Sequence, residues 1–205
     1  MLDRYALEVF RPLIERAARE VRERGFTADQ VTLTGFGLGL FSAACIALGF
    51  YLLAMLPLLA SRACDGVDGA VARADGTTDR GAFLDIGLDF IFYGSIPLAF
   101  AVSDPANNAL AAATLLAAFV GTGSSFLAYA IIAEKRGLKS AAYPSKSIYY
   151  LGGLTEGTET VACFVAMCLW PQHFAVIACF YAALCALTTV TRLVAGWRAF
   201  GSMED

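Results

Sequence analysis

A chain of 205 residues with 58% hydrophobic and only 16% charged side chains is too apolar for an ordinary soluble domain, where about 45–50% and about 25% are usual. Its formal net charge of −3 argues against nucleic acid as a partner, since phosphate backbones are bound by basic surfaces. The single histidine, His173, excludes histidine-rich zinc sites and leaves little room for a histidine-based triad. With a mean hydropathy of +0.63, the composition points to an integral membrane protein, read as one domain over residues 1–205.

The first predicted element covers residues 1–25. Leu2, Tyr5, Val9, Phe10, Leu13, Ile14 and Ala17 recur at helical spacing, with Arg and Glu on the other face. That is the pattern of an amphipathic helix lying in the membrane interface; the other reading is a soluble helix packed on loops. The charge in this stretch argues against a cleavable signal peptide.

Residues 31–197 are expected to form a six-helix bundle, each segment near the roughly 20 residues that a spanning helix needs. The segments run from Val31 to Phe50, Tyr51 to Arg73, Gly81 to Ser103, Asn107 to Ala133, Ser147 to Trp170 and Phe174 to Trp197. Asp104-Pro105, Pro144 and Pro171 mark breaks between them. The fold class is therefore an all-α membrane protein of six transmembrane helices after an interfacial helix. Six arginines (Arg4, Arg11, Arg16, Arg19, Arg22 and Arg24) precede the first span. Arg62, Arg73 and Arg80 lie near the end of the second or just beyond it. Lys135, Arg136, Lys139 and Lys146 separate the fourth and fifth, and Arg192 and Arg198 close the sixth. The loops after spans one, three and five hold no Lys or Arg, so the positive-inside rule puts both termini in the cytoplasm. The size, the Ala- and Arg-rich composition and the lack of targeting signals point to a bacterial inner membrane. The six cysteines form no CxxC pair and sit in apolar runs, where a free thiol behaves as a small hydrophobe.

Charge is concentrated where span two ends and span three begins. Asp65, Asp68, Gly69, Ala72 and Arg73 fall at i, i+3, i+4, i+7 and i+8 and share a helix face, as do Asp85 and Asp89 at i, i+4. A short connection, Ala74 to Arg80, is expected to make the two helices antiparallel neighbours, so that four carboxylates converge. Each would cost about 2.5–3.5 kcal/mol in the membrane, and together they would repel one another. One arginine does not neutralise them; divalent cations do, and an all-oxygen aspartate set suits Mg²⁺, Mn²⁺ or Ca²⁺ better than zinc. The competing reading is an acid network paired with Arg62, Arg73 and Arg80 for helix packing alone.

The run Asp65-x2-Asp68-Gly69-x2-Ala72-Arg73, followed by Gly81-x3-Asp85-x3-Asp89, resembles the signature of the CDP-alcohol phosphotransferase (phosphatidyltransferase) family. The spacer from Arg73 to Gly81 holds seven residues, one fewer than the usual pattern. Thr27-Ala28-Asp29-Gln30-Val31-Thr32 resembles the family's opening motif, with Ala28 and Asp29 in place of Pro and Asn. The resemblance implies transfer of a substituted phosphoryl group from a CDP-linked donor, often CDP-diacylglycerol, to an alcohol acceptor with release of CMP. It implies that Asp65, Asp68, Asp85 and Asp89 hold two divalent cations (Mg²⁺ or Mn²⁺), with Asp89 also the general base. It further implies that Asp68, Gly69, Ala72, Arg73 and Gly81 line the nucleotide site, and that the protein is a homodimer. The residue chemistry suits these roles: small residues at Gly69 and Ala72 let a nucleotide approach the helix, and Arg73 offers a bidentate fork to phosphate.

Counting about 1.5 Å per residue from the cytoplasmic ends puts Asp65 and Asp89, Ser124 and Ser125, Glu156 and Arg192 near one depth. This predicts a polar, cytoplasm-facing cavity with the metals in its wall. Glu156 and Glu159 could bind a cationic acceptor head group, pair with Arg192 or face a dimer interface. Gly121 to Ser125 reads as a small-residue helix contact or a ligand site. Lys146, with Lys135, Arg136 and Lys139, either sets topology or clamps an anionic acceptor. The acceptor candidates Lys146, Glu156, Glu159 and Arg192 thus carry opposite charges and leave the alcohol open. A membrane cation transporter or channel subunit is the alternative function.

Overall fold

The computed structural model describes residues 3–137 and 154–201. It contains seven α-helices: α1 (Asp3–Glu23), α2 (Ala28–Ala47), α3 (Tyr51–Asp75), α4 (Asp79–Ser103), α5 (Pro105–Lys135), α6 (Gly157–Leu169) and α7 (Phe174–Gly201). A 3₁₀ turn, Pro171–His173, joins α6 to α7. There is no strand among the described residues.

Local chemistry sets the helix ends. Thr27 begins α2 with a reciprocal capping box: the Gln30 amide donates to Thr27 Oγ1 at 3.3 Å, and the Thr27 amide donates to Gln30 Oε1 at 3.0 Å. Thr78 caps α4 by accepting from the Gly81 amide at 3.0 Å. Asp104 caps α5 through the Asn107 amide, with Pro105 in the first turn. Gly76, at φ 102°, adopts a backbone conformation that side-chain-bearing residues rarely reach, and only residues 76–78 separate α3 from α4.

Short as that connection is, the two helices are not the close neighbours expected from it. α2 packs along both α3 and α4, and the direct α3–α4 interface is slight. Glycines on α2 make this possible. A Cβ on Gly35 would lie 2.8 Å from Cys64 Cβ of α3, and one on Gly39 would lie 2.5 Å from Phe92 Cδ2 of α4. The α2 backbone therefore occupies the place a direct α3–α4 contact would need. α5 packs chiefly on α7 and α4, and α6 on α3 and α7.

Among the described residues, four helical units are long and apolar enough to cross a bilayer: α2, α4, α5 and Pro171–Gly201. α3 matches them in length but carries Arg62, Asp65, Asp68, Arg73 and Asp75. The fifth expected span is shorter than predicted among the described residues, because α6 begins only at Gly157 and has 13 residues, about 20 Å of helix. Its expected start, Ser147 to Gly153, lies outside the described residues. Phe92, Phe100, Phe164 and Phe174 are fully buried, and the Phe100 and Phe174 rings stack at 4.5 Å. Outward-facing Leu40, Phe41, Leu56, Leu110, Val176, Phe180 and Trp197 are exposed, which suits lipid and not water. All six cysteines are free thiols.

α1 divides its apolar face. Ile14, Ala18 and Val21 pack on Val67, Ala70 and Val71 of α3, with Ile14 Cδ1 close over Gly66. Arg22 holds Asp75 at the end of α3 with Nε at 2.7 Å. Val9, Phe10 and Leu13 stay exposed, as an interfacial helix requires. The helix it packs against is α3, not a loop.

Introducing a side chain at Gly39 should separate α2 from α4. Overpacking typically costs about 1–3 kcal/mol, so Gly39→Leu is expected to lower the melting temperature of the detergent-purified protein, read by intrinsic fluorescence. An unchanged melting temperature would show that the α2–α4 contact is not tight.

Candidate active site

Asp65 and Asp68 arrive on successive turns of α3, and Asp85 and Asp89 on successive turns of α4. One oxygen each from Asp65, Asp85 and Asp89 lie within 4.8 Å of one another. They line a narrow cleft with Asp68, Thr32, Gly35 and Phe36 of α2, Ser61 and Arg62 of α3, and Leu88 of α4. Asp68 lines the cleft but stands apart from the trio; it is buried to 5% exposure, with Thr32 in hydrogen-bonding reach. Its Oδ2 is buried and lacks a hydrogen-bond partner among the described residues. An orphaned carboxylate oxygen costs on the order of 1–3 kcal/mol or more. The donor set fits a hard divalent cation: carboxylate oxygens only, three clustered and a fourth poised beside them.

Of the three arginines expected to balance the acids, only Arg62 does so. Its Nη1 is 2.8 Å from Asp89 Oδ1 and 3.6 Å from Asp65 Oδ1. Arg80 instead pairs with Asp29 at 2.6 Å, tying the start of α2 to the start of α4. Arg73 is exposed, and its guanidinium lies back over Gly69, where a Cβ would stand 3.2 Å from Nη1. A Cβ on Gly81 would be 3.1 Å from Thr78 Oγ1 and 3.2 Å from Asp29 Oδ1. Gly69, Ala72, Arg73 and Gly81 thus sit toward the α3–α4 connection, outside the cleft lining, with Asp68 at the border.

The single polar cavity predicted from helix depth is not formed among the described residues. The cleft takes its lining from α2, α3 and α4, and none of Ser124, Ser125, Glu156 and Arg192 belongs to it. Several polar groups of α5, α7 and the α6 end of the chain pair among themselves. Arg192, 7% exposed, donates to the Thr122 carbonyl at 3.2 Å and lies over Phe126. Thr155 bonds Thr188 at 3.0 Å, and Thr160 meets Tyr181 at 2.7 Å. Glu156 is buried at 6% exposure, yet it is the N-cap of α6 and not a residue inside a span. Glu159 lies in the first turn, where an acid is favoured by the helix dipole. Lys146 lies outside the described residues. Gly121 and Gly123 serve helix packing, against Thr189 of α7 and Phe90 of α4.

A profile of the CDP-alcohol phosphatidyltransferase family matches residues 26–197. The chain belongs to that family. It is accordingly a phosphatidyltransferase of phospholipid synthesis and an integral membrane enzyme, which displaces the transporter alternative. Inner membrane protein YnjF of Escherichia coli is 47% identical over 204 residues, covering 100% of this chain and 99% of that protein. The archaetidylinositol phosphate synthase of Pyrococcus horikoshii is 34% identical over 97 residues, spanning 47% of this chain and 51% of its own. The crystal structure of Mycobacterium tuberculosis phosphatidylinositol phosphate synthase with CDP-DAG bound has the same fold. Its TM-score is 0.72 at 22% identity, covering 91% of this chain and 94% of that one. The same synthase in complex with manganese and citrate gives 0.70 at 23%, covering 90% and 88%.

Mn²⁺ held by the carboxylates should stabilise the fold by mass action, about 2.7 kcal/mol at a hundredfold excess over the dissociation constant. Asp85→Asn is expected to lose most of the Mn²⁺-dependent rise in melting temperature. A full Mn²⁺ response in this variant would remove Asp85 from the ligand set.

Proposed function

We propose that this protein transfers the phosphatidyl group of CDP-diacylglycerol to an alcohol acceptor and releases CMP. The observation that carries the reading is the three-aspartate cluster in a cleft between α3 and α4, in a chain of this family. The CDP-DAG and manganese complexes of the Mycobacterium synthase support the choice of donor and of a divalent metal. Asp65, Asp68, Asp85 and Asp89 would hold two divalent cations, Mg²⁺ or Mn²⁺. Bound there, such ions supply Lewis-acid polarisation of the phosphoryl oxygens and neutralise their charge.

Asp89 takes the proton of the acceptor hydroxyl as its oxygen forms the new bond to phosphorus and the bond to CMP breaks. Asp68, Gly69, Ala72, Arg73 and Gly81 receive the nucleotide, with the low surface at Gly69 admitting it once the Arg73 guanidinium swings onto phosphate. In this reading Lys146, Glu156, Glu159 and Arg192 are the candidate contacts of the acceptor, beyond the residues that line the cleft. In this reading α2 to α7 are six spans of one domain, with both termini and the cleft toward the cytoplasm of a bacterial inner membrane, in a homodimer. Exposed apolar faces give a lipid donor lateral access to the cleft.

The deciding assay is CMP release by purified protein from CDP-diacylglycerol with Mn²⁺ or Mg²⁺ and a panel of acceptors: glycerol 3-phosphate, inositol, inositol phosphate, serine, choline and ethanolamine. Release stimulated by one acceptor names the substrate; release with none, despite protection by CDP, points to another donor. Asp89→Asn should lower kcat by on the order of 100-fold or more, the scale of general-base catalysis. Arg73→Ala should weaken CMP binding measured by calorimetry, and wild-type CMP affinity would place Arg73 outside the nucleotide site.

A further inference from the structure

Arg62 precedes Asp65 by one helical turn, and its surroundings single it out. Its side chain is 13% exposed. Nη1 lies 2.8 Å from Asp89 Oδ1 and 3.6 Å from Asp65 Oδ1, and Nη2 donates to Ser61 Oγ at 3.2 Å. The guanidinium carbon stands 3.9 Å from the Phe92 ring centroid and 5.4 Å from that of Tyr93. Phe92 is itself fully buried, against Phe164 and over Gly39, so the platform under the guanidinium is rigid. Arginine keeps its charge at any ordinary pH, and its planar fork stacks and bonds at once. Held on three sides, Arg62 is a fixed cation and not a side chain reaching for the interface.

We propose that Arg62 is a positioning residue for Asp89 and a permanent cation of the site: it engages Oδ1 of Asp89 and leaves Oδ2 as the oxygen that takes the acceptor's proton. This rests on the phosphatidyl-transfer reading above. The physical need comes from the fold. Asp89 is on α4, its partner Asp65 is on α3, and the two helices scarcely pack on each other. Like charges facing across that gap push Asp89 away, and Arg62 spans it. The same charge opposes divalent ions, so Arg62 trades metal affinity for carboxylate geometry.

The test compares the full-length Arg62→Gln and Arg62→Lys variants in detergent by Mn²⁺ titration followed by electron paramagnetic resonance, which needs no turnover. Loss of one positive charge in contact with two aspartates should tighten Mn²⁺ binding on the order of tenfold in Arg62→Gln, with Arg62→Lys close to wild type. A Mn²⁺ affinity equal to or weaker than wild type in Arg62→Gln, or Arg62→Lys as tight as Arg62→Gln, overturns the proposal. Turnover of CDP-diacylglycerol with its acceptor is the second arm. Lysine keeps the charge but not the fork, so in Arg62→Lys kcat should fall about tenfold or more through misplacement of Asp89, with the KM for the donor nearly unchanged. Wild-type kcat, or a change in KM alone, overturns it. If Arg62→Gln does not fold, Arg62→Lys decides by this kcat and KM split. If the protein proves inactive on CDP-diacylglycerol, the Mn²⁺ arm still stands, so the two readings fail separately.

Discussion

Negative charge gathered between α3 and α4 is the constraint that the rest of the molecule accommodates. Half-buried carboxylates are costly to desolvate, and placing three of their oxygens within 4.8 Å of one another adds repulsion. Direct packing of α3 on α4 would bury those charges further. Instead α2 sits between them, its Gly35 and Gly39 letting Cys64 and Phe92 close against its backbone. The result is a cleft and not a sealed interface, so the aspartates keep room for counter-ions. Thr32 on α2 reaches Asp68 from the same side.

The two ends of α3 and α4 are tied by charge placed outside the cluster. Arg80 of α4 holds Asp29 of α2, and Arg22 of α1 holds Asp75 of α3. Both pairs are exposed, so each contributes little stability on its own. They act in register with apolar packing: Ile14, Ala18 and Val21 of α1 lie on Val67, Ala70 and Val71 of α3. α1 is thus bound to the helix that carries Asp65 and Asp68, and its exposed Val9, Phe10 and Leu13 remain available to a membrane surface.

The other half of the bundle follows a different logic. α5 and α7 lie close together along small residues, with Gly121 against Thr189 and Gly196 against Tyr129. Threonine hydroxyls there bond back to helix carbonyls or to one another, and the Arg192 guanidinium finds the Thr122 carbonyl. Such bonds satisfy polar groups where no water competes. α6 joins this half through Thr160 and Tyr181.

Much of this was legible in the chain alone. Periodicity and hydropathy located α1 to α5 and α7 closely, because length and apolarity are local properties, whereas α6 starts at Gly157 and covers only the later part of its expected span among the described residues. The spacing of Asp65, Asp68, Asp85 and Asp89 identified the acidic site, since i, i+3 and i, i+4 neighbours share a face whatever surrounds the helix. The partner of each charge was not legible. Arg62 read as one of three equivalent basic residues, and only the fold sends it to Asp89, Arg80 to Asp29 and Arg73 back over Gly69. Counting residues for depth put Glu156 and Arg192 level with the aspartates, yet depth says nothing about which helices face one cleft, and the lining comes from α2, α3 and α4. The sequence by itself determined the helices, the membrane class and the acidic cluster, because these follow from nearest-neighbour spacing. The tertiary structure alone decided which helices face each other and which cation answers which carboxylate, because those depend on backbone approach at glycines far apart in the chain.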